Sequence, residues 1–406
     1  MTGARGDSVL DQEGAVGVSD RNGESRSSAV SCGALLQEIR EADGITRQDL
    51  LQATGMSRST LYQRLDLLER AGLIHEAGQE TSTGGRPPKI LRFDDRGRVA
   101  LTFDVGHTRA AVSLCRLDGT TLSGRTISLQ PGWQPAALLE QLSTVAEALL
   151  DATSGERLVG IGLGIPAPVQ SPGDVRWPTR AMPDAGYPLV DELVRRFNVP
   201  VCVENDARAF ALGEFAASQS QAELFLGIKY ASGLGAGLVS HGAMVRGSVG
   251  AAGDLGHIRI TDDGPECTCQ SRGCLAAYAS GRALLRDLGP RVGSLTEAVQ
   301  LLDAGDPEVT DWIDTATALL GRALAGLVQA LNPREVVFGG YLGRHPYISD
   351  RLTETITELT LERVHDHTTM YAGRLGAAAG TLGLVWLVNQ TLFSVQRVDQ
   401  LVADVR

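Results

Sequence analysis

The sequence predicts an α/β protein, with a small helical head followed by a body of two similar α/β lobes. Three observations predict it. Residues 98–122, RVALTFDVGHTRAAVSLCRLDGTTL, read as strand, glycine turn, strand, Asp118-Gly119 turn and strand. Residues 222–245, AELFLGIKYASGLGAGLVSHGAMV, repeat that layout with His241-Gly242 at the second turn. Ahead of both, residues 32–70 carry short amphipathic helical patterns separated by turn signals. A chain of 406 residues, 43% of them hydrophobic, is long enough to fill two or three cores.

Composition narrows the function classes. The first thirty residues mix Gly, Ser and charges without an apolar run of signal-peptide or membrane-span length, so residues 1–29 are expected to be a disordered tail and the protein cytoplasmic, with no membrane contact. Six cysteines, unevenly spread, do not make a disulfide framework, which suits a reducing compartment. A net charge of -11 argues against a generally basic nucleic-acid binder, yet leaves room for a small basic module on an acidic body.

That module is expected at residues 30–95. CGALLQEIREADG places Leu35, Leu36 and Ile39 at helical spacing and stops at Gly44. Thr46 can cap a second helix that stops at Gly55, and Ser57 can cap a third with Leu61, Leu65 and Leu68 as its buried stripe. The third helix carries Arg58, Ser59, Thr60, Gln63 and Arg64 in its N-terminal half, the part that reaches base edges in a helix-turn-helix. Arginine can read guanine there, while Ser, Thr and Gln reach bases or phosphates. Residues 73–95 then read as two short strands joined by a loop with Arg86 and Lys89, the layout of a winged helix whose wing touches DNA. A helical hairpin for protein contacts is the plainer alternative.

The repeated hairpin units divide the body into a smaller lobe, residues 96–207 and 390–406, and a larger lobe, residues 208–389, with a ligand cleft between them. In the larger lobe, DLGHIRITDDGPECTCQSRGCL concentrates one histidine and three cysteines within about twenty residues. With the GH pair and the CTCQSRGC segment in hand, the chain from about residue 30 onward resembles the ROK family of repressors, open reading frames and sugar kinases, in its regulator form. The resemblance implies a two-lobed, actin-like sugar-kinase fold and a structural zinc held by His257, Cys267, Cys269 and Cys274. The chemistry agrees independently, because closed zinc sites use four tetrahedral N or S ligands.

Other site residues follow from the same resemblance. In VPVCVENDARAFALGE, Asp206 matches the family's general base on a sugar hydroxyl and Asn205 its sugar-contacting neighbour; an Asn-Asp pair is also a common helix cap. Asp254 stands where the family commonly has a sugar-binding glutamate, and His257 can contact sugar with the ring nitrogen that does not face zinc. After GCL the family's glutamate is replaced by Ala276, removing one polar contact.

The nucleotide side departs further. The family's kinases have a glycine where DVGHT places His107, and a side chain there obstructs phosphate approach. Asp104, Gly106, Thr108, Ser232, Gly233, Gly235, Gly339 and Gly340 remain as candidate nucleotide contacts, with simple turn geometry their competing role. ATP is therefore not expected as a cofactor. The reading is a sugar-responsive transcriptional regulator, a repressor of carbohydrate uptake or metabolism genes, acting as a homodimer or homotetramer on operator DNA with a sugar or sugar phosphate effector. Its competitor is an ATP-dependent sugar kinase that carries a DNA-binding head. A ligand-independent DNA-binding protein with a vestigial pocket is the third possibility.

Overall fold

The computed structural model describes residues 30–42, 44–79, 89–130, 132–153, 155–171, 174–175 and 186–404. The expected tail at 1–29 and the wing tip with Arg86 lie outside the described residues. The chain divides into two compact units, one of residues 1–94 with 395–406 and one of residues 95–394.

The first unit is built by capping. Helix α1 (Cys32–Glu41) starts at Ser31, whose hydroxyl accepts from the Ala34 amide, and buries Leu35, Leu36 and Ile39. Strand β1 (Ile45–Thr46) leads into α2 (Arg47–Thr54), where Thr46 and Asp49 form a reciprocal capping box and Gly55 closes the helix in the left-handed region at φ 64°. Ser57 caps α3 (Arg58–Arg70), which buries Leu61, Leu65 and Leu68. Strands β2 (Ile74–Gln79) and β3 (Lys89–Phe93) pair antiparallel, and β3 also pairs with β1, giving a three-stranded sheet in the order β1-β3-β2. Three helices and this hairpin are a winged helix.

The last helix, α15 (Val395–Ala403), packs on α1. The lobe boundaries expected from sequence placed residues 390–406 in the smaller lobe; residues 395–403 instead complete the winged-helix unit. The cause is a complementary seam. Val398 and Val402 are buried, the Gly33 amide donates to the Asp399 carboxylate at 2.8 Å, and a Cβ at Gly33 would lie 2.1 Å from the Val395 carbonyl oxygen.

The second unit contains one topology twice. Strands β4 (Arg98–Val105), β5 (Arg109–Arg116) and β6 (Thr121–Ser128) form an antiparallel meander, turned at Asp118-Gly119. Helix α4 (Pro135–Asp151), strand β7 (Arg157–Ile165), the small hairpin β8 (Val169–Ser171) and β9 (Asp174–Val175), helix α5 (Leu189–Phe197) and strand β10 (Val201–Asn205) follow. β7 and β10 add in parallel, so the sheet order is β10-β7-β4-β5-β6. After α6 (Asp206–Ser218), strands β11 (Leu224–Tyr230), β12 (Leu234–Ser240) and β13 (Ala243–Val245) repeat the meander. Their second turn, His241-Gly242, has positive φ at both residues, as a tight two-residue hairpin turn requires.

A helical layer covers the second sheet: α7 (Leu275–Ala279), α8 (Gly281–Asp287), α9 (Leu295–Asp303) and α10 (Pro307–Leu331). Strand β14 (Glu335–Gly339), helices α11 (Gly340–Gly343), α12 (Pro346–Leu359) and α13 (Glu362–His365), and strand β15 (Thr369–Ala372) then close the sheet as β13-β12-β11-β14-β15, the counterpart of the first.

Each sheet is followed by a helix that packs on the other one. α6 leaves β10 and lies on β11 and β12, while α14 (Ala378–Leu392) leaves the second half and lies on β4, β7 and β10. Between them is a seam of small residues: a Cβ at Gly213 would sit 1.9 Å from the Ala379 carbonyl oxygen, and one at Gly383 1.8 Å from that of Ala209. Thus the segment that returns to the first lobe is 378–392 and not the chain end. Asp206 begins α6 at the end of β10, which brings the ends of the β4–β5 and β11–β12 hairpins to the same place.

Candidate functional site

In the winged-helix unit, Arg58, Ser59 and Gln63 are exposed on α3, whereas its three leucines are buried. Thr60 is half-buried, and its hydroxyl lies 2.8 Å from the Ser57 hydroxyl, so it reinforces the cap. Arg64, which the sequence reading grouped with this face, is half-buried. Its guanidinium donates to the Met56 sulfur at 3.4 Å and lines a crevice with Ser31, Cys32, Asp399 and Val402. Tyr62 takes the outward position, 54% exposed, with the Arg47 guanidinium 5.7 Å from its ring centre. Lys89, at the wing's base, pairs with Glu76, which also pairs with Arg47 at 3.0 Å. That shared carboxylate offsets part of the wing's positive charge.

The histidine and three cysteines converge. His257 ends a short turn of 3-10 helix, Leu255–His257, and Cys274 caps α7, while Cys267 and Cys269 sit on the loop between. Their ligand atoms all lie within 4.8 Å of one another. Cys269 Sγ is 3.7 Å from Cys274 Sγ, and Cys267 Sγ is 3.5 Å from His257 Nδ1. A tetrahedron with metal–sulfur bonds of about 2.3 Å has edges of about 3.8 Å, so the spacing fits a metal and is far too long for a disulfide. Nδ1 is the nitrogen on the sulfur side, which leaves Nε2 for another partner. The local fold depends on close approach: a Cβ at Gly273, where φ is 74°, would lie 1.9 Å from the Thr261 carbonyl oxygen. Cys32, Cys115 and Cys202 are buried elsewhere and take no part.

Asn205 caps α6. Its side-chain oxygen accepts from the Ala207 and Arg208 amides at 3.0 and 3.3 Å, and its amide nitrogen donates to the Ala167 carbonyl at 3.3 Å. Asp206, one residue on, is engaged by a residue that sequence reasoning did not single out. Lys229 Nζ, on β11, donates to Asp206 Oδ2 at 2.9 Å. Burial pushes the Asp206 carboxyl up, but the charge and hydrogen bond of Lys229 outweigh it and hold the group below the ordinary aspartate range. Burial likewise disfavours the Lys229 ammonium, and Asp206 together with Asp104 keeps it above the ordinary lysine value. Asp104 is shifted the other way, its burial raising its pKa.

A second missed group lies beside it. Glu204 is fully buried and bridges two arginines, Arg208 at 2.8 Å and Arg246 at 2.6 Å. Arg208 also donates to the carbonyls of Val169 and Gly250 at 2.7 and 3.2 Å. This network ties the 246–254 loop of the second half, which carries the exposed Asp254, to the first half's β8 and β10. The only local signal was the i, i+4 pair in ENDAR. Ala276 is buried, and a Cβ at Gly256 would lie 3.1 Å from its own.

The expected phosphate turns are occupied by the protein itself. At the β4–β5 turn the Gly106 amide donates to the Arg109 carbonyl at 2.8 Å, and Thr108 is exposed. His107 reaches across to Arg282 on α8, whose Nη1 lies 3.0 Å from His107 Nε2. Burial first, then the Arg282 charge, push the imidazole down to about 4, so it is neutral at neutral pH and accepts from the guanidinium. At the β11–β12 turn, the Ala231 and Ser232 carbonyls accept from the Gly281 and Arg282 amides at 2.9 and 3.1 Å, and Gly233 faces the His107 ring. Gly235, Gly339 and Gly340 are glycines for packing. Added Cβ atoms would lie 2.8 Å from Ala207 Cβ, 2.0 Å from the Phe210 ring and 2.5 Å from the Tyr230 carbonyl oxygen.

This arrangement can be placed among known proteins. Residues 33–75 match a winged helix-turn-helix DNA-binding family, and residues 100–391 match the ROK family. A xylose repressor of Bacillus subtilis is 26% identical over 365 residues, spanning 87% of this chain and 93% of the repressor. A glucokinase of Thermotoga maritima is 29% identical over 312 residues, spanning 71% of this chain and 96% of the kinase. The crystal structure of a ROK family transcriptional regulator, a homolog of the E. coli MLC protein, superposes with a TM-score of 0.76 at 26% identity, covering 92% of this chain and 98% of that one. With its two-sheet body, Cys-His cluster and winged head, the chain belongs to the ROK family.

Proposed function

We propose that this protein is a sugar-responsive transcriptional repressor that binds operator DNA through α3 and the wing. One observation carries the reading: a winged helix with Arg58, Ser59 and Gln63 exposed is joined to a ROK body whose phosphate turn is filled by the His107–Arg282 pair. The repressor relative spans 87% of this chain, more than the body by itself supplies, whereas the kinase relative spans 71%. Phosphoryl transfer requires every positioning element at once, so a filled turn and a base already paired to Lys229 argue against ATP-dependent turnover. A sugar would be held between Asp206, Asp254 and the free ring nitrogen of His257, with Asn205 setting the position of Asp206 through its cap. Zinc is the metal that suits one imidazole and three thiolates, and bound there it would act structurally, fixing His257 beside that pocket. Since one winged helix makes few base contacts, the active form is a symmetric homodimer or homotetramer acting in the cytoplasm.

The test is a binding assay with the DNA flanking its own gene, scored with and without a panel of sugars, alongside a coupled ATP assay. A specific DNA complex weakened by a sugar is the expected result, with Arg58→Ala costing roughly 1 to 3 kcal/mol of specific binding and Arg64→Ala less. ATP turnover lost in Asp206→Ala would establish the kinase reading instead.

A further inference from the structure

A chain of charged contacts runs across the winged-helix unit, from the exposed face of α3 to the base of the wing. Helical spacing puts Arg58, Ser59, Tyr62 and Gln63 on one outward face of α3. The Arg47 guanidinium, from the first residue of α2, stands 5.7 Å from the centre of the Tyr62 ring, and its Nη2 donates to Glu76 Oε1 at 3.0 Å. Lys89, at the start of β3, donates to the other oxygen of the same carboxylate. Resting on the reading that α3 and the wing bind DNA, we propose that Glu76 is a built-in competitor of the DNA backbone. Its carboxylate holds the two cations, Arg47 and Lys89, that phosphate oxygens would otherwise take, and so sets how tightly the head holds DNA of any sequence.

Position is the first support. Arg47 lies against a residue of the outward face of α3, and Lys89 stands where the wing loop rejoins the sheet, paired in register with Gln79 at the loop's other end. Charge is the second. Phosphate repels a carboxylate, so DNA binding by itself does not favour an acid at this place. Glu76 is ionised there, because the hydrogen bond from Lys89 first, and then that from Arg47, hold its carboxyl below the ordinary glutamate range. Exposure is the third: the three side chains are 26 to 41% exposed, and pairs open to solvent are weak enough to exchange for phosphate. Binding DNA then either breaks both pairs or keeps a negative charge beside the backbone, and each course costs affinity. Phosphate contacts carry no sequence information, so every DNA sequence shares that cost, while Arg58, Ser59 and Gln63 stay exposed for base edges. An effector shifts the DNA equilibrium only by its differential affinity for the two states, and a weaker phosphate contribution brings the complex within its reach.

Fluorescence anisotropy of the full-length protein decides the matter, with two labelled probes, a short mixed-sequence duplex and the DNA flanking its own gene, each titrated over a series of salt concentrations. Glu76→Gln is expected to tighten both complexes by about threefold to tenfold, and to steepen the fall of log affinity with log salt by about one. Glu76→Asp keeps the charge and should keep the parent's salt dependence. Arg47→Ala should loosen both complexes and, combined with Glu76→Gln, remove part of its gain. Thermal melts establish that each variant is folded, and a purely structural Glu76 would move the melts while leaving the salt dependence in place. Unchanged affinity and salt dependence in Glu76→Gln, with the parent still bound to DNA, would overturn the competitor role and leave the regulator intact. Tightening confined to the flanking DNA would also overturn it, because a competitor of the backbone acts on every sequence. If neither probe is bound by the parent or by Glu76→Gln, the DNA-binding reading falls and the competitor falls with it.

Discussion

His107 shows how one side chain in place of a glycine changes what a turn can do. In the folded chain its pKa is pushed down to about 4 from an ordinary 6.5, because burial and Arg282 both disfavour the imidazolium. Between those pH values the unfolded chain binds a proton that the folded chain does not. Stability therefore falls as pH drops from about 6.5 to about 4, by up to about 3 kcal/mol for this group. Denaturant titrations of the native protein and His107→Gln over that range should diverge, the variant losing less. Curves that stay parallel would mean the imidazole is not held neutral. The cysteines give a second residue-scale expectation. Purified protein should contain about one zinc per chain, and Cys269→Ser should lower both the metal content and the melting temperature. Elemental analysis that finds no zinc in protein prepared without chelator would reject the assignment.

Among the elements, the pair α6 and α14 governs the site. Each follows one sheet and packs on the other, and the two approach so closely that glycine is required where they touch. Gly383→Ala would bring a methyl group 1.8 Å from the Ala209 carbonyl oxygen. The helices would have to separate, at a cost of about 1 to 3 kcal/mol or more, and the start of α6 would move with them. Because Asp206 is the first residue of α6, ligand affinity should fall along with stability. A variant as stable as the parent would show that the seam is looser than its geometry implies.

At the scale of the whole molecule, distant parts of the chain share one unit: α15 packs on α1 and completes the winged-helix unit. Deleting residues 395–406 would uncover the Gly33 side of α1, leave the Gly33 amide without Asp399 and remove the buried Val398 and Val402. Amide hydrogen exchange should then accelerate in α1 and α3, while β4 to β7 keep their protection. Unchanged exchange in α1 would show that the winged helix does not rely on this helix. The two sheets of the other unit share one strand order, which is why a repeated hairpin could be read from the text before any pairing was known.

The legible features were those decided within a few residues. Thr46 and Ser57 cap their helices because a hydroxyl three residues before a free amide needs no distant partner. The turns at Asp118-Gly119 and His241-Gly242 form for an equally local reason, positive φ. The spacing of Cys267, Cys269 and Cys274 already brought three thiols near one another on a short loop, with His257 ten residues upstream of the first. Contacts between distant segments were not legible. Nothing near Asp206 announces Lys229, 23 residues away on another sheet, and nothing near His107 announces Arg282, 175 residues on. Nor did the sequence around Arg64 announce its contact with the Met56 sulfur, and the destination of α15 depended on Gly33, far from it along the chain. A sequence states which groups are present and which face of an element they share. Which charges meet, and which are left without a partner, is decided only when the sheets and helices pack, because burial and a few ångströms of separation set the strength of every charge interaction at this site.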